Sequence, residues 1–509
     1  MQFRGGLPRN HVFLLPPQVD EWLPAGHMAR IVDEAVELMD LSQAEATFHQ
    51  TGAGAPAYPP KTLLKLLTYG YLTQRFSSRR MSTACREDLA MMWLARLEQP
   101  KHSAIADFRK RHVEDIPGWM AQIVLLCADL GMVGFRLGAI DGSKLQADAS
   151  KHKAMSYERM QEAIPALEAE IAQLMRAHAV ADDQEVSPPA VPADRLARLR
   201  ERLARIQQAK ADLEARWASE HPDALAPPDK VQWNFTDPES HIMVTKTRGV
   251  QQAYNSQIAV DAAEGVIVAT TCSAHPNDIQ ELIPTLEAVP ESTGGRQFEQ
   301  ITADAGYFSA DNVEAAEAHQ VDAYIAAGAD QWHTVAGQQR FGRGQFTFDP
   351  AANAYRCPAS KRLSHHGERK ESVGGGGTRI VDIYRSNRAT CGACPLKDQC
   401  LTPKQSVKTI KRGADDGLRD AMKAKVRSEN GDAIYRTRKG VVEPAFGTIK
   451  ETLGFRQFSL RGLTKVTGEW MLICLSYNIR KIYQKLQKLI TQTGGVWTIA
   501  RLRAAQAAQ

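Results

Sequence analysis

The chain has 509 residues, a net charge of +5 and an apolar content of 43%. These values are those of an ordinary soluble protein with roughly two to four structural units. No run of about 18 uncharged apolar residues occurs, and the first residues lack the pattern of a signal peptide, so membrane-spanning and secreted classes are excluded. We therefore expect a cytoplasmic protein.

Positive charge is concentrated in two separate segments. Residues 60–113 contain eleven Lys and Arg against four Asp and Glu, and residues 401–465 contain fifteen against seven. Two basic segments suit a polyanion that is held at more than one place. Solvated helix faces would give the same counts, so charge alone leaves both interpretations open.

The N-terminal part is predicted to be helical. Residues 1–59 are expected to form an extension and a linker rich in Gly, Ala and Pro. In residues 60–130, apolar residues recur at helical spacing and the basic stretches RFSSRR and DFRKRH lie between them. Both a helix-turn-helix-like DNA-binding domain and a plain helical bundle that packs on a core fit this pattern.

Short apolar runs that end in an acid predict the strands of a second unit. GAIDGSK carries Asp141 and QITADAGYF carries Asp304, each followed by a glycine. Residues 254–271 add a β-hairpin, and helices alternate with the later strands. This order predicts an α/β fold with an RNase H-like mixed sheet as its core. The core is assigned to residues 131–150, 251–330 and 413–490.

A long insertion is predicted after the first core strand. In residues 151–250, apolar residues step by four and three on both sides of a proline-rich break at residues 187–192. This spacing is typical of an antiparallel helical hairpin with coiled-coil character. At the other end of the chain, residues 491–509 are expected to be a tail that frays from residue 504.

A second insertion, residues 331–412, is predicted to be a small subdomain with a cysteine cluster. Two of the cysteines form a C-x2-C pair, which together with the other two fits a four-thiolate structural Zn²⁺ site. Unmetallated thiols, an iron–sulfur cluster or a redox pair are the alternatives, and His365 and His366 are substitute ligands. The four candidate zinc ligands are Cys357, Cys391, Cys394 and Cys400.

Asp141, Asp304 and Glu443 are predicted to converge on one site. Glu443 lies in VVEPAFGTIKETLGF, which is interpreted as a helix with Glu443 near its start and Lys450 about two turns later. Taken singly, each acid fits a turn or a helix end, so the hypothesis depends on the three contexts together. Carboxylate oxygens are natural ligands of Mg²⁺ or Mn²⁺, and a pair of such ions can catalyse phosphoryl transfer.

Five segments of the chain resemble bacterial insertion-sequence transposases of the DDE class, in the group whose third acid lies in a Tyr-Arg-Glu-Lys pattern. The resemblance spans roughly residues 10–490. It implies a DNA transposase that cleaves the ends of an insertion element and transfers the freed strand into target DNA. Asp141, Asp304 and Glu443 fall on the catalytic, metal-binding acids of the family. The matching segments are YPPKTLLKLLTYGYL, AIDGSK, YNSQIAVDAAEGVIVA, TADAGYFS and VVEPAFGTIKETLGFRQFSLRGL.

The resemblance also implies DNA contacts and a homodimer on DNA, which would associate with the nucleoid. Four residues separate Arg438 from Glu443 where the usual pattern has three, and Lys439 stands in the usual place of the arginine. Two rival functions are a metal-dependent endonuclease that cuts without joining and a DNA-binding regulator that has lost catalysis. The candidate DNA-binding residues are Lys144, Tyr435, Arg438, Lys439, Lys450 and Arg456.

Overall fold

The computed structural model describes most of the chain, and within the described ranges no helix is long and apolar enough to cross a membrane. The predicted break of the helical hairpin at residues 187–192 lies outside these ranges, as do parts of the predicted N-terminal extension and linker. The described residues are 18–47, 56–183, 193–222, 224–245, 249–328, 332–335, 338–372 and 378–508.

Seven α-helices precede the first strand, and helices and strands are mixed along the rest of the described residues. The α-helices are α1 Met28–Glu37, α2 Ser42–Ala46, α3 Pro60–Leu72, α4 Ser78–Glu87, α5 Leu89–Leu94, α6 His102–Arg111, α7 Ile116–Asp129, α8 Tyr157–Asp183, α9 Ala193–Glu220, α10 Leu282–Thr293, α11 Ala310–Ala318, α12 Arg388–Gly392, α13 Lys397–Cys400, α14 Asp416–Arg427, α15 Glu429–Gly447, α16 Leu463–Thr493 and α17 Ile499–Ala507. The strands are β1 Leu137–Gln146, β2 Ala154–Ser156, β3 Gln232–Asn234, β4 His241–Thr245, β5 Gly249–Asp261, β6 Ile267–Ser273, β7 Gln300–Ala303, β8 Asp322–Ile325, β9 Trp332–Val335, β10 Gln338–Phe341, β11 Thr347–Asp349, β12 Ala354–Arg356, β13 Arg362–Ser372, β14 Thr378–Arg385 and β15 Thr409–Gly413.

The N-terminal region is helical, as predicted. Helix α3 is buried along nearly its whole length and packs against α1 and α16. Part of the positive charge of this region is neutralised within the fold, because the buried Lys65 pairs with Asp33 and Glu37, at 2.5 Å in each case. These helices therefore pack as a helical bundle against α16.

A mixed six-stranded sheet forms the centre of the molecule. Strand β1 pairs antiparallel with β5 and parallel with β7, β7 pairs parallel with β8, and β6 and β4 both pair antiparallel with β5. Helices α10 and α16 pack on the β5–β6 part, whereas α15 contacts β1, β5, β7 and β8. The prediction of a mixed α/β architecture with an N-terminal helical region is thus confirmed.

Helices α8 and α9 lie side by side and share a small hydrophobic core of their own. Met160 from α8 and Ile206 and Leu213 from α9 are buried in it. The Tyr157 hydroxyl donates a hydrogen bond to Glu214 at 2.5 Å, which fastens the start of α8 to the far half of α9. This cluster is separate from the main core, so the helical pair can pack without the central sheet.

The end of the chain differs from the expectation of a frayed tail. Residues Ile499–Ala507 form α17, and Ile499 and Leu502 are buried. The backbone N–H groups of Ile499 and Ala500 donate hydrogen bonds to the two carboxylate oxygens of Glu34, at 3.0 and 2.7 Å. The Ala and Gln composition suggested fraying because these tertiary contacts to a helix more than 450 residues away have no local signature.

Candidate active site

Asp141 and Asp304 lie at the same level of the central sheet on neighbouring parallel strands. Ala139 pairs with Thr302 between β1 and β7, and each aspartate is two residues further along its own strand direction. Side chains at equivalent positions of adjacent strands point to the same face of a sheet. The structure therefore brings together two of the three predicted acids.

The Asp141 carboxylate is crowded by charge. One oxygen accepts a hydrogen bond from the Gly142 N–H at 2.8 Å, and the other lies 3.3 Å from Nη1 of Arg438. Burial raises the pKa of Asp141, the negative charges of Asp304 and Asp278 raise it further, and Arg438 opposes them. Ionised acids in such a site repel one another, and a bound cation would relieve this repulsion.

Asp278 is a third aspartate at this site, and the sequence analysis missed it. It follows β6 in a turn-forming stretch, without the apolar run before it and the glycine after it that marked the other two aspartates. Both of its carboxylate oxygens accept hydrogen bonds from Lys144, at 2.7 and 2.8 Å, and Asn255 donates another at 2.8 Å. One of these oxygens would lie 3.5 Å from a Cβ placed on Gly306, two residues after Asp304.

The buried Tyr307 shows how close the three aspartates are. Its hydroxyl donates a hydrogen bond to the side chain of Gln257 on β5. Burial raises the pKa of Tyr307, and the charges of Asp278, Asp141 and Asp304 add to this effect in that order. The three carboxylates thus lie near Tyr307, at one face of the sheet and close to the start of α11.

The prediction that Glu443 lies near the start of a helix is wrong. Helix α15 begins at Glu429, where Ser428 caps it by accepting a hydrogen bond from the Gly431 N–H at 3.1 Å, and Glu443 lies near its end. Pro444 would suit the first turn of a helix. Here it lies inside the helix, which buried residues such as Val442 and Phe446 hold against the sheet.

The Glu443 side chain is exposed and makes no hydrogen bond or ion pair with any residue that the structure describes. Its helix is nevertheless anchored to β1 on both sides of it. Arg438 pairs with Asp141, and Lys450 donates a hydrogen bond to the Ser143 hydroxyl. Arg438 precedes Glu443 by five residues, or about 7.5 Å along the helix axis. The segment that carries Glu443 therefore passes over the strand that carries Asp141.

The residues fit a divalent cation by their chemistry. Asp141 and Asp304 offer carboxylate oxygens side by side, which are the ligands that Mg²⁺ and Mn²⁺ prefer. In the described part of the chain, no three Asp, Glu, His or Cys side chains are arranged as a metal-binding group. A complete ligand set therefore needs Glu443, or another acid, to move toward the two aspartates.

Three of the predicted DNA-binding residues lie within the acidic cluster. Lys144 is bonded to Asp278 and Arg438 to Asp141. Tyr435 is half-buried near Arg438: burial raises the pKa of its hydroxyl, and the charge of Arg438 opposes this effect. Two positive charges are thus already balanced by carboxylates of the site.

The other three candidates lie along α15 and beyond it. Lys439 is exposed. Lys450 lies in the π-helical turn Thr448–Thr452 that follows α15, a kind of irregularity that is frequent at functional sites. Arg456 is half-buried and pairs with Glu451 at 2.5 Å. Lys439 and Lys450 therefore lie on either side of Glu443 in the sequence, in the segment that crosses β1.

Paired aspartates on a mixed sheet, with arginine and lysine side chains among them, are the features of an α/β protein that handles phosphate groups. Two comparisons with protein families give the identity. Residues 17–111 match the family described as Transposase domain (DUF772), and residues 356–483 match the family described as Transposase DDE domain. No curated protein gives a significant match.

The two matches confirm the resemblance to DDE-class insertion-sequence transposases, each over a part of the chain. The first match covers helices α1 to α6, and the second covers β13 to β15, the four clustered cysteines, α15 with Glu443, and much of α16. The matched DDE domain implies nuclease or transposase activity, and proteins of this kind act on DNA. Asp141 and Asp304 precede the second match, so their assignment depends on the geometry described above.

Proposed function

We propose that the protein is a metal-dependent DNA transposase that cleaves the ends of an insertion element and joins the freed strand to target DNA. The observation that carries the proposal is the pairing of Asp141 and Asp304 at one level of the sheet. The strand order β6-β5-β1-β7-β8, with three antiparallel strands followed by two parallel ones, supports an RNase H-like core.

Asp141, Asp304 and Glu443 would together hold two Mg²⁺ or Mn²⁺ ions. Bound ions of this kind activate an oxygen nucleophile, stabilise the leaving oxygen and shield the phosphate charge. Hydrolysis at the element end and attack by the resulting 3′-hydroxyl are both in-line displacements at phosphorus, so one site serves both steps. The contribution of Glu443 requires its exposed side chain to turn toward β1.

Arg438 has two roles in this proposal. Without a bound cation, its guanidinium compensates the charge of Asp141 at 3.3 Å. Once released from that contact, the same planar group is placed to hold a phosphate with two parallel hydrogen bonds. Tyr435, which lies near Arg438, is proposed to help position the guanidinium for both roles.

The remaining contacts divide between positioning and DNA binding. Lys144 and Asp278 form an ion pair next to Asp141 and Asp304, and this ion pair holds the loop that follows β6 against Gly306. Lys439, Lys450 and Arg456 are proposed to contact the DNA backbone as positive charges. The basic segment of residues 60–113 is proposed to extend this surface.

An assay with a donor plasmid that carries the element ends and a separate target plasmid tests the proposal. Wild-type protein with Mg²⁺ should give joined products, and Asp304→Asn should give neither cuts nor joints. Asp311→Asn is a matched control, because Asp311 is an exposed acid in the first turn of α11. Cutting without joining would indicate an endonuclease, and binding without cutting a regulator. Equal cutting by wild type and Asp304→Asn would refute the site.

We also propose that two copies of the chain act together on paired element ends. Sedimentation of the protein with end DNA should then show two protomers for each pair of ends. A complex with one protomer per pair of ends would contradict this part of the proposal and leave the assignment of the acids untouched.

A further inference from the structure

Four cysteines from two connections of the small antiparallel sheet, β11 to β15, line one cavity of about 30 Å³. Cys357 lies in the turn after β12, Cys391 in α12, Cys394 just after that helix, and Cys400 at the end of α13. A space of this size holds about one water molecule or one small ion. We propose that these cysteines bind one structural zinc ion that fixes the subdomain built from β11 to β15.

Two of the four sulfur atoms lie next to hydrogen-bonding groups. Cys357 Sγ accepts a hydrogen bond from the Lys361 N–H at 3.3 Å, and Cys391 Sγ lies 2.6 Å from the Ser386 hydroxyl. Donors of this kind orient and stabilise metal-bound sulfur. Cys400 lies within electrostatic range of the other three thiols, which shows that the four groups face one place.

Positive charge around the cavity supports zinc over four neutral thiols. A zinc ion with four thiolates carries two net negative charges, and the cavity is lined by Lys361, Lys397 and Lys408. Lys408 is half-buried, and its ammonium group donates a hydrogen bond to the Phe341 carbonyl at 2.9 Å. Burying a lysine beside apolar rings is costly unless negative charge is close, and the proposed centre supplies it.

The subdomain also has little hydrophobic core to stabilise it. Small folds with so few buried side chains commonly depend on a metal or on disulfides. Cys357 and Cys400 pack directly against this core, so an ion held by them would connect the sheet to helices α12 and α13. The buried core residues of the subdomain are Phe341, Phe346, Tyr355, Leu363, Tyr384 and Ile410.

The proposal requires the thiols to rotate toward the cavity centre when the ion enters, because no metal-binding group is preformed among the described residues. Histidine is not part of the proposed ligand set. The His365 ring is hydrogen-bonded to the Asp382 carboxylate at 2.7 Å, and neither His365 nor His366 lines the cavity. The ligand set is therefore four thiolates, which select zinc among the abundant divalent ions.

The test uses the full chain, purified under reducing conditions and supplied with zinc alone. Elemental analysis should find one zinc per chain, released when a mercurial reagent reacts with the thiols. Replacement by Co²⁺ should give the visible bands and thiolate charge-transfer absorption of a tetrahedral sulfur site. Cys391→Ser should lose the bound zinc, whereas Cys85→Ser should keep it, because Cys85 is buried in α4 far along the chain.

A second measurement keeps the test decisive if Cys391→Ser fails to fold. In wild-type protein, zinc should protect four thiols from alkylation, identified by mass spectrometry as those of the cluster, and a chelator should remove the protection. Metal-free protein with all four thiols reactive, or iron in place of zinc, would overturn the proposal. Neither measurement involves DNA, so the outcome is independent of the proposed transposase activity.

Discussion

The buried carboxylate of Glu469 provides a sharp test of how the N-terminal helical bundle is joined to the rest of the protein. It lies in α16, is fully buried, and accepts hydrogen bonds from the backbone N–H groups of Ser459 and Leu460 at 2.9 and 3.0 Å. Arg109 of α6 lies 3.4 Å from it and is also buried, with Tyr71 as its second partner at 2.9 Å.

Replacing Glu469 with glutamine keeps the size of the side chain and one acceptor oxygen but leaves the Arg109 charge buried without its counter-ion. Removing one partner of a buried ion pair costs about 3–5 kcal/mol. We expect the free energy of unfolding, measured by urea denaturation followed by circular dichroism, to fall by this amount. In an Arg109→Met background, the same change should cost far less, because no charge is then stranded.

The exposed pair of Glu451 and Arg456 supplies the control. The Glu451 side chain is 70% exposed, and exposed ion pairs contribute about 0–1 kcal/mol. Glu451→Gln should therefore barely change stability. If Glu469→Gln cost no more than Glu451→Gln, the inference that a buried charge pair holds the helical bundle against α16 would be refuted.

Two further predictions concern the central sheet. The pKa of Asp141 is raised in the folded state, so its ionised form lowers the stability of the protein above that pKa. Asp141→Asn, measured in the presence of a chelator, should therefore raise the melting temperature near pH 8 and lose this advantage near pH 4. A melting temperature lowered equally at both pH values would contradict the reasoning. A Cβ on Gly138 would lie 2.6 Å from the Phe298 ring, so Gly138→Ala should cost about 1–3 kcal/mol in urea unfolding. Gly118→Ala in α7, where a Cβ meets open space, should instead stabilise by up to about 1 kcal/mol, and a loss there would count against this explanation.

Local sequence patterns were sufficient to predict the elements in which buried residues recur at regular spacing. The apolar runs around Asp141 and Asp304 predicted strands because both faces of these segments are covered, and the strands are present as β1 and β7. The hairpin of β5 and β6 followed from β-rich runs on either side of Gly265, whose φ of +71° suits a tight turn.

Contacts between distant segments could not be predicted in the same way. Asp278 has no local feature that separates it from an ordinary turn residue, and only folding places it beside Gly306 and Lys144. The start of α15 was placed wrongly near Glu443, whereas the helix begins at Glu429, where Ser428 caps it. The pairing of Arg438 with Asp141 joins residues 297 positions apart, and no local pattern specifies it.

Glu443 is proposed to complete the site formed by Asp141 and Asp304. The most direct measurement compares Mg²⁺-dependent cleavage of element ends by Glu443→Gln and Glu429→Gln, two exposed acids of the same helix. Loss of a metal ligand should lower the rate at least about a hundredfold, since outer-shell changes alone cost up to that much. If Glu443 is a metal ligand, Glu443→Gln should show this loss and Glu429→Gln should cleave at a near wild-type rate. Wild-type cleavage by Glu443→Gln would contradict it.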